Sequence, residues 1–260
     1  MGSSLLIAST FCFFIAFAYT MYALGARTFR ASNFHFIAIL AGFLFQCAFL
    51  FLRGHAEGRC PLTNLFEVFI FLSWSVVLLY FLIGQTYRLS LLGFFTSPLV
   101  FLLQMFALLV LADLPAARVE HANPWLELHA ALSVMAYGAF AVAGVAGVMY
   151  LLQERQLKKR KLREWFFHLP PIADLSVAIS RLVWTGFALL TVGLLSGFML
   201  GFNVLQTICG VGVWGVYGAI LRTETCKKVS PRHIAVMAVL AFGLALSTLW
   251  GLSFASTAFQ

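Results

Sequence analysis

The chain is predicted to fold as an all-α, polytopic transmembrane helical bundle of about eight spans, with both termini outside. Three observations carry this. Hydrophobic residues make up 62% of the chain and charged residues only 10%, with a mean hydropathy of +0.95. Apolar runs of about 20 residues, the length that crosses a bilayer as a helix, recur from end to end. Short alternating segments of the kind a membrane β-barrel needs are missing. In lipid the backbone must satisfy its own hydrogen bonds, which selects helices.

The eight expected spans are Leu5–Leu24, Phe34–Leu52, Leu62–Ile83, Leu89–Leu111, Leu126–Leu152, Val177–Leu200, Val204–Leu221 and Ile234–Phe254. The first lacks the basic start of a signal peptide and is read as a retained helix. The connections are too short for a soluble domain and no internal repeat is visible, so residues 1–260 are expected to form one integral membrane domain. Gly201-Phe202-Asn203 is the whole connection between the sixth and seventh spans, a composition suited to a tight turn. Gly144, Gly147, Gly186, Gly193 and Gly197 read as points of close helix approach.

Orientation follows from Lys and Arg. One set of alternate connections holds Arg27, Arg30, Arg88, the run Arg155 to Arg163, Arg181, Arg222, Lys227, Lys228 and Arg232, which is 14 of the 17 cations. Arg53, Arg59 and Arg118 lie on the other side. The rich side is expected to be cytoplasmic. His35, His168 and His233 then fall inside, and His55, His121 and His129 outside. The stretch Leu157–Pro171 is expected along the inner surface, its Lys and Arg meeting anionic lipid. The net charge of +8 is therefore a cytoplasmic excess and no nucleic-acid partner is expected.

Two places hold residues able to do chemistry. His129 sits five residues after Pro124, near the outer end of the fifth span. An imidazole there can ligate iron, hydrogen-bond a neighbour or carry a proton, and position alone leaves these open. Glu127 faces elsewhere on that helix. The second place is Arg53-Gly54-His55-Ala56-Glu57-Gly58-Arg59-Cys60-Pro61. Thr63 or Asn64 should cap the third span, Pro61 suits its start, and Glu67 should pair with Arg59 or Arg53. The five cysteines form no CxxC pair; most read as packing residues, and only Cys60 lies where a thiol role is open. Phosphate loops, HExxH and a Ser–His–Asp set are absent, and the span interiors carry almost no charge. No independent catalytic activity is expected.

The same segments resemble the cytochrome c assembly family of membrane proteins, the CcsA/ResC and HemX-like group. The similarity runs through Gly58-Arg59-Cys60-Pro61-Leu62-Thr63-Asn64-Leu65-Phe66-Glu67, then Trp74, then Trp125 with His129, and Tyr137-Gly138-Ala139-Phe140. It resumes at Leu169-Pro170-Pro171, Asp174-Leu175, Arg181, Gly186-Phe187, Thr191-Val192-Gly193 and Ser196-Gly197, covering about 58–201. The resemblance implies a protein of the inner (plasma) membrane that handles haem for cytochrome c maturation, with other assembly proteins as partners.

By that analogy His129 matches the outer axial histidine, the residue that would hold the haem iron. Arg53 or Arg59 would meet a propionate, and His55 and Trp125 complete the candidate cofactor-binding set. The chain departs from the family pattern in three places. Arg59 and Cys60 stand where that pattern has a histidine and an aromatic residue. No tryptophan-rich loop follows Ser196-Gly197, and Gly251–Gln260 holds no second histidine. His55 or His121 could then be a second ligand. The reading that competes is a non-catalytic, HemX-like scaffold or regulator of tetrapyrrole synthesis. A small-molecule carrier is a third, for which the chain lacks paired repeats and a polar midplane.

Overall fold

The computed structural model describes residues 2–26, 33–86, 92–110, 123–158, 171–198, 204–226 and 229–258. These form eight helices: α1 (Gly2–Gly25), α2 (Asn33–Glu57), α3 (Leu65–Thr86), α4 (Leu92–Val110), α5 (Pro124–Lys158), α6 (Ile172–Phe198), α7 (Val204–Thr225) and α8 (Pro231–Ala258). Each corresponds to one of the expected apolar runs, with ends that differ by a few residues. Seven of the eight are long and apolar enough to cross a membrane over their described residues. The expected surface stretch beyond Lys158, the turn at residues 201–203, and His121 and His168 lie outside the described residues.

Several helices extend past the apolar runs because capping residues, rather than hydropathy, set their ends. Asn123 opens α5: its side-chain oxygen accepts the Trp125 N–H at 3.1 Å and its carbonyl the Leu126 N–H at 3.0 Å. Pro124 follows at the first helical position, where its missing N–H costs nothing. Ser230 and Pro231 open α8, the Ser230 carbonyl accepting the His233 N–H at 2.9 Å while its hydroxyl pairs with His233 Nδ1 at 2.8 Å. The start of α3 differs from expectation. Leu62 N–H bonds the Cys60 carbonyl at 2.9 Å, which turns the chain at Pro61, and the helix begins only at Leu65. Asn64 is the cap, its Oδ1 accepting the Glu67 N–H at 2.8 Å.

Helices α1 to α4 pack as one group, with α1 against α2 and α4, and α3 against α2 and α4. Helices α5 to α8 form a second, and α5 joins the two by packing on α3 and α4. The composition of α5 explains its central place. Ala139, Phe140, Ala141, Val142 and Ala143 are consecutive and fully buried, so every face of the helix is covered. Its small residues admit neighbours closely. A Cβ on Gly147 would lie 2.9 Å from the Ala235 carbonyl of α8, and one on Gly138 would overlap the Ser75 side chain of α3. On α6, Gly186 leaves the space that the Phe140 ring fills.

Successive helices run in opposite directions, as contacts at their ends show. At one side of the bundle the end of α1 meets the starts of α2 and α4 through Thr20, His35 and Ser97, whose side-chain atoms lie 3.0–3.3 Å apart. The end of α5 and start of α8 meet there too, with Glu154 pairing to Lys158 at 2.7 Å and Arg232 at 3.3 Å. Arg53, Arg59 and the start of α5 lie at the opposite side, together with His129.

Candidate functional site

The C-terminal end of α2 is shaped by a glycine. Gly58 has φ +64°, a conformation that carries little cost without a Cβ, and the Arg59 N–H bonds back to the Gly54 carbonyl at 3.2 Å. This reversal returns Arg59 over the helix end, its Nε 3.4 Å from Glu57. Arg53 Nε donates to Glu67 Oε1 at 2.7 Å, and its Nη2 lies 3.2 Å from Glu57. The other oxygen of Glu67 accepts the Thr63 N–H and hydroxyl, each at 2.8 Å. The Glu67 side chain is fully buried, and its charge is balanced by Arg53 and these donors. This cluster ties α2 to α3.

Cys60 sits in the same loop. Burial pushes its thiol up to about 11, and the Glu127 and Glu67 carboxylates add to the effect. A thiol so shifted is protonated at neutral pH and is a poor nucleophile. The influence of Glu127 also places the start of α5 beside this loop.

His129 lies on another face of α5. Two residues separate it from Glu127, about 200° of rotation on an α-helix, and its ring is buried against α6. Nδ1 is 2.6 Å from the Gly193 carbonyl oxygen. A carbonyl only accepts, so Nδ1 carries the hydrogen, and Nε2 is the ring nitrogen with the lone pair in neutral imidazole. The Ser196 hydroxyl donates to the same carbonyl at 2.7 Å. Gly193 permits this approach, since a Cβ there would stand 2.9 Å from Ser133 Oγ. Below the ring, α5, α6, α7 and α8 enclose a cavity of ≈ 110 Å³. Its wall is hydrocarbon apart from His129, Ser133, Tyr137 and Thr207.

The expected site residues are thus distributed over different surfaces. Trp125, one turn before His129 on nearly the same face, is 55% exposed at the start of α5. Arg53 and Arg59 belong to the α2–α3 cluster, and neither lines the cavity. His55 is exposed on α2, its ring stacked parallel to that of Phe51. Sequence reasoning did not single out Ser133 and Thr207, and named Tyr137 only as part of the family resemblance. The available signal was their polarity within apolar runs, with Ser133 one turn from His129.

The donor chemistry suits a haem iron in one respect. A carbonyl-held Nδ1–H orients the ring and raises the basicity of Nε2, the arrangement common to metal-bound histidines. In volume the cavity falls short of the roughly 300–1,000 Å³ of pockets that enclose whole cofactor-sized ligands. It can receive part of a macrocycle and no more.

A profile of the family described as "Cytochrome C assembly protein" matches residues 62–257. The chain belongs to the cytochrome c assembly protein family. The match reaches well beyond the segments that carried the resemblance, through α7 and into α8. This family member is a multi-pass membrane protein related to cytochrome c biogenesis. It is similar to the Protein HemX of Brevibacillus brevis, 29% identical over 62% of this chain and 59% of HemX. It is 26% identical to the Protein HemX of Bacillus subtilis (strain 168), over 58% of this chain and 55% of that protein. It is also 26% identical to the Cytochrome c biogenesis protein CcsA of Prochlorococcus marinus (strain MIT 9215), over 84% of this chain and 80% of CcsA. The matched region therefore spans less than two thirds of either HemX.

Proposed function

We propose that this protein is a haem-handling accessory of cytochrome c maturation in the inner (plasma) membrane, with His129 as its protein ligand to iron. One observation carries the reading: the His129 ring is buried near the start of α5, fixed by the 2.6 Å bond to Gly193, on the wall of a cavity. Family membership supplies the biological setting. In this reading Gly193 orients the imidazole, the aliphatic wall excludes water, and Trp125 flanks the outer approach. Bound haem would supply the iron and the porphyrin destined for an apocytochrome. The orientation proposed from the cationic residues, with both termini outside, puts this site on the non-cytoplasmic face, where assembly partners would meet it.

The test is a haem titration of the purified protein and of His129→Ala, followed in the Soret region. Loss or displacement of the Soret band in the variant is expected. A band identical in position and affinity removes the ligand assignment.

A second reading is a scaffold or regulator that binds a partner protein and no cofactor. The engagement of Arg53 and Arg59 by Glu57 and Glu67 favours it, because those cations already have carboxylate partners. Protein purified from haem-replete cells distinguishes the two: recovery with assembly proteins but without a coloured cofactor supports the scaffold.

A further inference from the structure

We infer that helices α1 to α4 enclose a binding site for one small neutral molecule that donates two hydrogen bonds, a water, bridging the side-chain oxygens of Gln46 on α2 and Gln104 on α4. The site lies in the first helix group, away from His129 and its cavity, and does not depend on the haem reading.

Ser9, Gln46, Ser73 and Gln104 come from α1, α2, α3 and α4 in turn, and all four are fully buried. Gln46 stands near the middle of α2. Their hydrogen bonds run between helices. Gln46 Nε2 donates to the Ile70 carbonyl at 3.0 Å and to Ser73 Oγ, and the Ser73 hydroxyl donates to the same carbonyl at 2.9 Å. Gln104 Nε2 donates to Ser9 Oγ at 3.3 Å and to the Leu6 carbonyl at 3.5 Å, while the Ser9 hydroxyl donates to the Gly42 carbonyl at 2.9 Å. Carbonyls only accept, so the orientation of both amides is fixed and both serine protons are used. That leaves the two Oε1 atoms. Each is buried, and among the described residues neither has a hydrogen-bond partner.

The layer is therefore two donors short. An acceptor cut off from solvent loses its hydration without return, and a bound water is the usual remedy. The packing brings the two oxygens toward one place. Gly42 lies one turn before Gln46 on the same face of α2, and a helical side chain leans back over the preceding turn. Ser9 bonds to Gly42 and Gln104 bonds to Ser9, so both carboxamides converge on that turn. The bonds made by Gln104 are long, which leaves its amide room to shift about a guest. A water has two O–H groups, one for each oxygen. A cation would suit the same oxygens, but the four side chains of the layer include no carboxylate to balance its charge. Helices α2 and α4 each pack on α1 and α3, and the water ties them directly to one another. Hydropathy does not register such a layer, because each helix contributes a single one of these side chains to it.

The experiment uses the full chain in lipid bilayers, with isotopically labelled glutamine and valine and an ammonium-free buffer. Water-edited solid-state NMR follows the passage of magnetisation from water protons to each labelled carbon, with signals assigned through their backbone correlations. The side-chain carbonyl carbons of Gln46 and Gln104 should polarise several-fold faster than the methyl carbons of Val76 and Val77, which are equally buried and apolar. Rates no faster than those of Val76 and Val77 overturn the inference, and this measurement needs no variant to fold. Thermal unfolding in detergent of Gln46→Met, Gln104→Met and the double variant then tests the bridge. Either single variant already removes the shared water, so the double variant should lose clearly less melting temperature than the two single losses combined. Additive losses would mean that the two oxygens share no ligand and would overturn the bridge.

Discussion

The Nδ1–H of His129 on α5 donates to the main-chain carbonyl of Gly193 on α6 at 2.6 Å, in a pairing of helices that approach closely because residue 193 has no side chain. The bond sets the tautomer of the imidazole and ties its orientation to the spacing of two helices.

Gly193→Ala tests that coupling. The added Cβ meets Ser133 Oγ at 2.9 Å, so the helices must separate or the serine must rotate. Overpacking of this kind costs about 1–3 kcal/mol. A lower melting temperature and a weakened Soret response are expected together. Loss of stability with unchanged haem titration would show that the bond does not position His129.

The Arg53–Glu67 pair should matter for stability more than exposed ion pairs do. Glu67→Ala removes a charge-assisted bond to Arg53 and two bonds from Thr63, for a loss of about 1.5–3 kcal/mol. The double variant Arg53→Met/Glu67→Leu should recover part of that loss, since no charge is left unpaired. Thermal unfolding in detergent measures both, and an additive double variant contradicts the account.

Cys60 predicts a pH dependence with a definite sign. Its thiol is raised to about 11 in the folded state, so the fold favours the protonated form. Its contribution to stability is complete below its ordinary value near 9 and disappears as pH rises to about 11. Cys60→Ser, which does not titrate there, should flatten the stability profile in that window. Alkylation of Cys60 should be slow at pH 7 and accelerate only above pH 9.

The orientation is testable with thiol labelling. Cys226 is exposed just past the end of α7, on the side assigned to the cytoplasm. A membrane-impermeant maleimide should label it only after cells are permeabilised, whereas His55→Cys should react in intact cells. The reverse pattern inverts the assignment.

The helices were legible in the sequence because apolar length in lipid leaves the backbone one solution. Their ends were less so. The third helix was expected from Leu62, but Asn64 supplies the cap and Pro61 a turn, and hydropathy does not register either. The pairing of Glu67 with Arg53 was expected as one of two options, since both arginines are close in the chain. What the sequence could not show is angular position. His129, Arg53, Arg59 and His55 all belong to one end of the bundle, yet they occupy different faces, and only packing reveals that. Apart from His129, Ser133, Tyr137 and Thr207, the cavity is lined on four helices by apolar residues that do not differ in kind from their lipid-facing neighbours.

The continuous helix α5 holds His129 against α6 near one end and Glu154 against Arg232 of α8 near the other. Its 35 residues make a rod of about 50 Å at roughly 1.5 Å per residue. Its two ends therefore share a single phase. One alanine inserted between Ala141 and Val142 would turn one end relative to the other by about 100°. Either the imidazole would lose Gly193 or Glu154 would lose Arg232, so the angular setting of the histidine at one end is written into the anchor at the other end of the same helix.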